Sequence, residues 1–262
     1  MFPPKKLIWD AFAGTLTFFY KKGRSLVALI FPAFDAIRIV SLTSRVDRRA
    51  QIQREFARFD IAIGQGNVQF FDAIQPPDDG GFPSVGARGC FLSHLEILRQ
   101  ARDSGWSRFL VLEDDALFTS AFGHAGALVD FCRTDEWDFL YPGHILPPVP
   151  GPLRWIPTVD GVQCTHAYAL CAAVLPRLIA FLEGILSRPP GDPGFGPMHI
   201  DAAYSVFMDR EPGIRTFRSS RSLVIQRSSK SDVAPRKHVD RLLPPSMIRF
   251  VRAVKSWMRL RV

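Results

Sequence analysis

The stretch Phe109-Leu-Val-Leu-Glu-Asp-Asp115 decides the fold, because a short apolar run ends abruptly in three acidic residues. Four consecutive apolar residues predict a strand that is buried on both faces. In α/β sheets, ligands bind beyond the carboxyl ends of the strands, and the three carboxylates stand at such an end. The stretch therefore predicts a central strand with a functional site where the strand ends.

On both sides of this stretch, strand patterns alternate with helical patterns. Apolar runs predict strands at 37–42, 68–74, 137–141, 165–171 and 222–226. Apolar spacing predicts helices at 49–59 and 89–104, and Pro176 suits the first turn of a helix that runs to 186. The Pro- and Gly-rich segment 187–197 is expected to be a long loop. The alternation predicts an α/β domain with a largely parallel sheet.

The composition describes a chain that can bury a core. Of its 262 residues, 47% are apolar and 22% are charged, which excludes disordered and collagen-like classes. The sequence has no uncharged apolar stretch long enough to span a membrane and no secretory signal pattern. The four cysteines contain no C-x-x-C pair and no spacing typical of a zinc site, so we expect them to be reduced core residues of a cytosolic protein.

The net charge of +8 is concentrated at the two ends of the chain. Residues 1–24 have five basic residues and one acid, and residues 236–262 have eight and one, which leaves −3 for the body. We therefore expect an apolar and basic appendage at 1–35, a domain at 36–235 and a basic tail at 236–262. The acidic body argues against nucleic-acid binding.

The last sixteen residues, 247–262, have the pattern of a basic amphipathic helix. Such a helix suits an anionic membrane surface, and the apolar segment 7–20, flanked by lysines, suits an interfacial contact. Both segments equally suit packing on the domain. The membrane interpretation predicts a cytoplasmic protein that is peripheral at the inner face of the cytoplasmic membrane.

The acidic motif is suited to binding a hard cation such as Mg²⁺ or Mn²⁺, because Asp and Glu supply oxygen ligands. Alternation along an extended strand would turn Glu113 and Asp115 toward one ion and Asp114 elsewhere. The other interpretation is a solvated acidic turn that caps the following helix.

Two further groups of residues are candidates for binding. Arginines after the first strand are typical of a phosphate site, although they also suit a solvated helix start; these are Arg45, Arg48 and Arg49. Ser93-His94 lies in an apolar helix and Thr165-His166 follows much later. Histidines in such places are often hydrogen-bonded core residues rather than ligands.

Taken together, six blocks resemble glycosyltransferase family 25, the lipopolysaccharide-biosynthesis transferases and their collagen galactosyltransferase relatives. The blocks are IVSLTSRVDRR (39–49), GARGCFLSHLEIL (86–98), FLVLEDDALF (109–118), THAYAL (165–170), HIDAAYSVF (199–207) and VIQRSSKSD (224–232). The resemblance covers about residues 37–232. The second and third blocks, in this order and at this distance, are its most specific part.

The resemblance implies a GT-A-like, Rossmann-type nucleotide-sugar-binding domain with a mixed, mainly parallel sheet. It also implies an inverting transfer of a hexose, galactose or glucose, from a UDP-sugar to a saccharide acceptor of lipopolysaccharide or a related surface glycan. The implied cofactor is Mn²⁺ or Mg²⁺. A lipid-linked acceptor made at the cytoplasmic face would give the basic helix at 247–262 a purpose.

The family motifs also suggest a role for each matching residue. The residues implied to bind the donor are Ser41, Arg45, Arg48, Arg49, Ser93, His94, Glu113 and Asp114. Those implied to bind the cation are Glu113 and Asp115. Those implied to lie near the sugar or the acceptor are Thr165, His166 and Tyr168. Asp201 is the candidate base, because it is a carboxylate at a predicted helix start, although it also suits an N-cap. Glu113 stands where many GT-A enzymes have Asp, so its contact with the ion is expected to be indirect.

Two other functions compete with this interpretation. A Mg²⁺-dependent phosphatase would need a supporting lysine, and no lysine lies between Lys22 and Lys230. A catalytically inactive family member would act as a membrane-associated, glycan-binding scaffold.

Overall fold

The computed structural model describes residues 31–158, 164–211 and 213–227. The predicted amphipathic helix at 247–262 and the predicted interfacial segment at 7–20 lie outside the described residues, so both stay predictions. The division of the chain at residues 35 and 236 also stays a prediction. Within the described ranges, no helix is both long enough and apolar enough to cross a membrane.

Within the described residues, nine strands form two sheets. They are β1 (Ala36–Ser41), β2 (Val68–Asp72), β3 (Arg108–Glu113), β4 (Ala116–Phe118), β5 (Phe139–Tyr141), β6 (Trp155–Pro157), β7 (Ala167–Cys171), β8 (Thr216–Ser219) and β9 (Val224–Gln226). The main sheet has the order β2-β1-β3-β7-β5-β8-β6, and β4 pairs with β9 separately. Strands β2, β1, β3, β5 and β8 run one way, whereas β7 and β6 run against them. The predicted α/β class with a mixed, mainly parallel sheet is confirmed.

In the part of the chain that the structure describes, five α-helices accompany the strands. They are α1 (Val46–Ala57), α2 (Val85–Asp103), α3 (Val129–Cys132), α4 (Leu175–Leu186) and α5 (Ile200–Arg210). Helix α2 begins earlier than its apolar spacing predicted, because the Ser84 side chain caps it by accepting a hydrogen bond from the Ala87 N–H at 3.0 Å. Pro176 lies in the first turn of α4, as predicted.

The main sheet is covered on both faces. Along β3, Phe109 and Val111 enter a core shared with α2, α4 and α5. The alternate residues Leu110 and Leu112 enter a second core with α1. Because successive side chains of a strand point to opposite faces, a strand between two cores must be apolar throughout. This explains why the run 109–112 has no polar position.

The chain leaves β3 in a way that concentrates polar groups at its end. After Glu113 it makes a two-residue turn at Asp114-Asp115 and enters β4, which pairs with β9. The strand predicted at 222–226 therefore forms, but beside β4 rather than in the main sheet. This pairing brings the end of the described chain back to the acidic motif.

Candidate functional site

The acidic motif and the first basic block meet at one edge of the sheet. Strands β1 and β3 are parallel neighbours, so their carboxyl ends, Ser41 and Glu113, lie side by side. Helix α1 begins a few residues after β1 and carries its basic residues to the same edge. This is the location that an α/β sheet offers to a ligand.

Asp114 has protein partners for both carboxylate oxygens. Ser41 donates a hydrogen bond from Oγ to Oδ2 at 2.8 Å, and Arg48 donates from Nη1 to Oδ1 at 3.0 Å. Asp114 is buried, and such a carboxylate needs partners of this kind. Ser41, Arg48 and Asp114, all predicted to bind the donor, are thus brought together, and Asp114 holds Ser41 and Arg48 in place.

Asp115 is buried too, but one of its oxygens is unused. Its Oδ2 accepts a hydrogen bond from Gln226 Nε2 at 3.2 Å, whereas Oδ1 has no hydrogen-bond partner among the described residues. Burial raises the pKa of Asp115 to about 6, and the nearby Arg48 opposes the rise. A buried carboxylate oxygen without a partner fits a hard cation such as Mn²⁺ or Mg²⁺.

Glu113 faces a different set of residues. Thr165 donates a hydrogen bond from Oγ1 to Glu113 Oε1 at 2.7 Å, and His94 Nε2 lies 3.9 Å from the same oxygen. Burial, followed by the charge of Asp115, raises the pKa of Glu113 to about 8. Glu113 and Asp115 therefore influence each other electrostatically while having separate hydrogen-bond partners.

His94 begins a buried chain of hydrogen bonds. Its Nδ1 lies 2.7 Å from the hydroxyl of Tyr168, which lies 3.0 Å from the hydroxyl of Tyr204. Burial lowers the pKa of His94 to about 3, so the imidazole is neutral at pH 7. Its Nε2 has no hydrogen-bond partner within the described ranges. The chain joins α2, β7 and α5 beneath Glu113.

His166 is held by the chain segment that returns to the site. Its Nε2 donates a hydrogen bond to the carbonyl of Val224 at 2.9 Å, and burial lowers its pKa to about 4. A Cβ at Gly143 would lie 2.6 Å from the same Nε2, so only glycine leaves room for the ring. This geometry gives His166 a packing role beside β9.

The other predicted donor-binding arginines pair with acids of the protein. Arg49 donates to the Ser41 carbonyl at 2.9 Å and pairs with Asp72. Arg45 pairs with Asp47, their Nε and Oδ1 being 3.0 Å apart, near the start of α1. Both arginines therefore stand at the same edge as Arg48, each with an ion-pair partner nearby.

Ser93 connects α2 to the chain after β2. Its hydroxyl donates to the Gly89 carbonyl at 2.6 Å and accepts from the Ile74 N–H at 2.8 Å. It is fully buried. These two bonds tie α2, the helix that carries His94, to the chain after β2.

Asp201 lies in the first turn of α5, where its Oδ1 accepts a hydrogen bond from the Ala202 N–H at 2.9 Å. The helix begins one residue before it, with His199 at the N-cap position. The charge of Asp201 contributes to raising the pKa values of Glu113 and Cys90. Asp201 therefore lies near enough to Glu113 and Cys90 for its charge to act on both.

Several residues of the site were not singled out in the sequence. Arg227 donates its backbone N–H to the Asp115 carbonyl at 2.7 Å, and its guanidinium pairs with Gln51. Gln226 and Tyr204 contact the site as described above. Gln226 and Arg227 lie in the sixth resemblance block, and Tyr204 in the fifth, but no residue-level signal gave them a role.

Part of the sequence that builds this site matches a known protein family. Residues 83–145, which include α2 and β3, match the family described as Glycosyltransferase family 25 (LPS biosynthesis protein). The resemblance predicted from the sequence blocks is thereby confirmed.

Three curated relatives illustrate the similarity. The human inactive glycosyltransferase 25 family member 3 is 30% identical over 56% of this chain and 29% of its own length. The mouse procollagen galactosyltransferase 2 is 24% identical over 68% of this chain and 31% of its own. The lacto-N-neotetraose biosynthesis glycosyltransferase LgtB of Neisseria meningitidis is 33% identical over 30% of this chain and 32% of its own. The chain thus spans about a third of the length of these relatives.

A solved structure also aligns with most of the chain. It is a glycosyltransferase involved in the glycosylation of the major capsid of PBCV-1, with a TM-score of 0.46 and 14% identity over 75% of this chain and 94% of its own. This likeness is too distant to bear on individual residues.

Proposed function

We propose that the chain, which matches the family model of glycosyltransferase family 25 over residues 83–145, is an inverting hexosyltransferase. The donor is a UDP-sugar, carrying galactose or glucose, and the acceptor is a saccharide of lipopolysaccharide or a related surface glycan. The observation that carries the proposal is the buried Asp115, whose Oδ1 has no hydrogen-bond partner among the described residues, next to a basic block at the carboxyl end of β3.

The donor nucleotide occupies the edge formed by the ends of β1 and β3. Arg48, held by Asp114, presents positive charge to the diphosphate, and Arg45 and Arg49 stand beside it. Asp115, with Glu113 directly or through a water, would hold Mn²⁺ or Mg²⁺, which supplies charge stabilisation for the departing diphosphate when bound.

The acceptor and the transferred sugar lie on the Glu113 side. There Thr165 holds Glu113, the buried Tyr168 and His166 support the site from behind, and Asp201 takes the proton of the attacking hydroxyl. An inverting transfer needs such a base opposite the leaving group. Asp201 suits this role because it approaches from α5, apart from the acidic motif, while its charge still reaches Glu113.

The second candidate function is that of an inactive scaffold that binds a glycan at the membrane. One observation favours it, namely the similarity to a relative described as inactive. The intact acidic motif of this chain favours the transferase. The basic tail at 236–262 would bring either protein to an anionic surface at the inner face of the cytoplasmic membrane.

Calorimetric titration with UDP, with and without Mn²⁺, tests the proposal. We expect the full chain to bind UDP in a manganese-dependent way, and Asp115→Asn to abolish that dependence. The matched control is Asp130→Asn, which alters a fully exposed aspartate on α3. Wild-type protein that binds no UDP would contradict the donor assignment, and CMP- and GDP-linked donors would then be tested.

Product formation separates the two candidate functions. Incubation with UDP-galactose or UDP-glucose and a lipopolysaccharide-derived acceptor should release UDP and extend the glycan. Binding of the acceptor without any extension, under conditions where UDP binds, would favour the scaffold.

A further inference from the structure

A second group of metal-ligating side chains lies beside the acidic motif. Cys90 and His94 are four residues apart on α2 and therefore face the same side of the helix. Together with Glu113 they offer one ligand atom each, and these three atoms all lie within 4.8 Å of one another. We propose that Cys90, His94 and Glu113 bind a zinc ion.

The state of His94 supports this assignment. The residue is fully buried, and its Nε2, 3.9 Å from Glu113 Oε1, has no hydrogen-bond partner in the described part of the chain. A separation of 3.9 Å is too long for a hydrogen bond but suits two ligands of one ion. A buried nitrogen without a partner is costly, and a metal would satisfy it.

The partners of His94 and Glu113 have the arrangement expected around a metal. A zinc-bound histidine usually donates a hydrogen bond from the N–H of its other ring nitrogen, and this bond sets the tautomer. Here Nδ1 lies 2.7 Å from the Tyr168 hydroxyl, which lies 3.0 Å from the Tyr204 hydroxyl. The tautomer that donates from Nδ1 to Tyr168 leaves the lone pair of Nε2 for the ion. Thr165 fixes Glu113 Oε1 on the same side.

The ligand set selects zinc over the hard cation proposed for Asp115. A thiolate and an imidazole are softer ligands than carboxylates and favour Zn²⁺. One thiolate and one carboxylate also balance the double charge of the ion, so the buried site is neutral. The thiol of Cys90 and the carboxyl group of Glu113 each release a proton to solvent when the ion binds. Three protein ligands leave the fourth zinc position open.

The test measures metal content and not transfer, so it is independent of the proposed function. Full-length protein, purified without chelators, should contain roughly one zinc per chain by mass spectrometry. Replacement by Co²⁺ should produce a thiolate-to-cobalt charge-transfer band. Both signals should be lost in Cys90→Ser and retained in Cys171→Ser, the matched control that removes a buried thiol of β7.

A positioning variant guards against loss of folding. Tyr168→Phe keeps all three ligands but removes the partner of His94 Nδ1, and we expect it to weaken zinc binding roughly 10- to 100-fold. Folded wild-type protein that binds neither zinc nor cobalt would overturn the proposal. Zinc content that is unchanged in Cys90→Ser would overturn it as well, because the ion would then lie elsewhere.

Discussion

Arg48 and Asp114 form an ion pair with Nη1 and Oδ1 3.0 Å apart, and their side chains are only 11% and 7% exposed. The pair joins the first turn of α1 to the turn that follows β3. It therefore sets the distance between the basic block and the acidic motif. Because the pair is buried, removing one partner leaves the other charge without compensation.

Arg48→Met should destabilise the protein by about 3–5 kcal/mol, the usual cost of breaking a buried ion pair. Urea unfolding measures the change. The matched control is Arg133→Met, whose partner Asp130 is exposed and 3.9 Å away, so its loss should cost less than about 1 kcal/mol. Equal losses in the two variants would show that the Arg48 pair is not a structural tie.

The hydroxyls of Tyr168 and Tyr141 should differ in their contribution to stability. Tyr168→Phe removes a partner from both His94 and Tyr204 and should cost about 1–3 kcal/mol. Tyr141→Phe is the control, because its buried hydroxyl has no hydrogen-bond partner among the described residues. That variant should be neutral or slightly stabilised in thermal unfolding. A Tyr168→Phe variant as stable as wild type would contradict the hydrogen-bond chain.

The metal-free protein should lose stability as pH rises from 6.5 to 8. Glu113, with a pKa of about 8, keeps its proton when folded but loses it when unfolded, so the native state binds more protons in this range. His94 and His166, whose pKa values are lowered to about 3 and 4, favour the native state increasingly up to about pH 6.5 and then add no slope. The slope from Glu113 is up to roughly 1 kcal/mol per pH unit.

Glu113→Gln isolates this contribution. Urea unfolding at several pH values, with a chelator present, should show a flatter dependence between pH 6.5 and 8 than in wild type. The same slope in both proteins would assign the pH dependence to another group.

Asp201→Asn should lower kcat by about 10²-fold or more while leaving UDP binding unchanged, because it removes the proposed base and no donor contact. Asp209→Asn changes an exposed aspartate near the other end of the same helix and should keep wild-type kcat. If Asp201→Asn retained full activity, another group, with Glu113 the first to test, would have to act as the base.

Short-range patterns were sufficient to predict the central elements. The continuous apolar run of β3 predicts a buried strand, and the helical spacing of the apolar residues of α2 predicts a helix. The short strands β4, β6 and β8 were not predicted, whereas the equally short β5 and β9 lie within longer predicted segments. A strand of three or four residues without such a segment depends on the partner that pairs with it. Helix α1 begins at Val46, three residues before its predicted start, since its first turn is polar and adds nothing to the apolar period.

The predicted site residues gather largely at one edge of the sheet, and their roles there stay predictions. Alternation along a strand predicted that Glu113 and Asp115 hold one ion. In the structure their neighbours differ: Glu113 lies beside Thr165 and His94, whereas Asp115 accepts a hydrogen bond from Gln226. Residue 114 begins a turn rather than continuing the strand, so alternation no longer applies there. Gln226 and Asp115 are 111 positions apart along the chain, so no local sequence pattern could predict their contact.

The sequence by itself determined the α/β class, the acidic motif at a strand end and the family resemblance, because apolar periodicity and motif order are local properties of the chain. Only the tertiary structure decided which carboxylate keeps an unused oxygen and which nitrogen of His94 lacks a partner. Those states depend on groups brought from α1, β7, β9 and α5. Burial then turns each missing partner into an energetic cost, which bound ligands would remove.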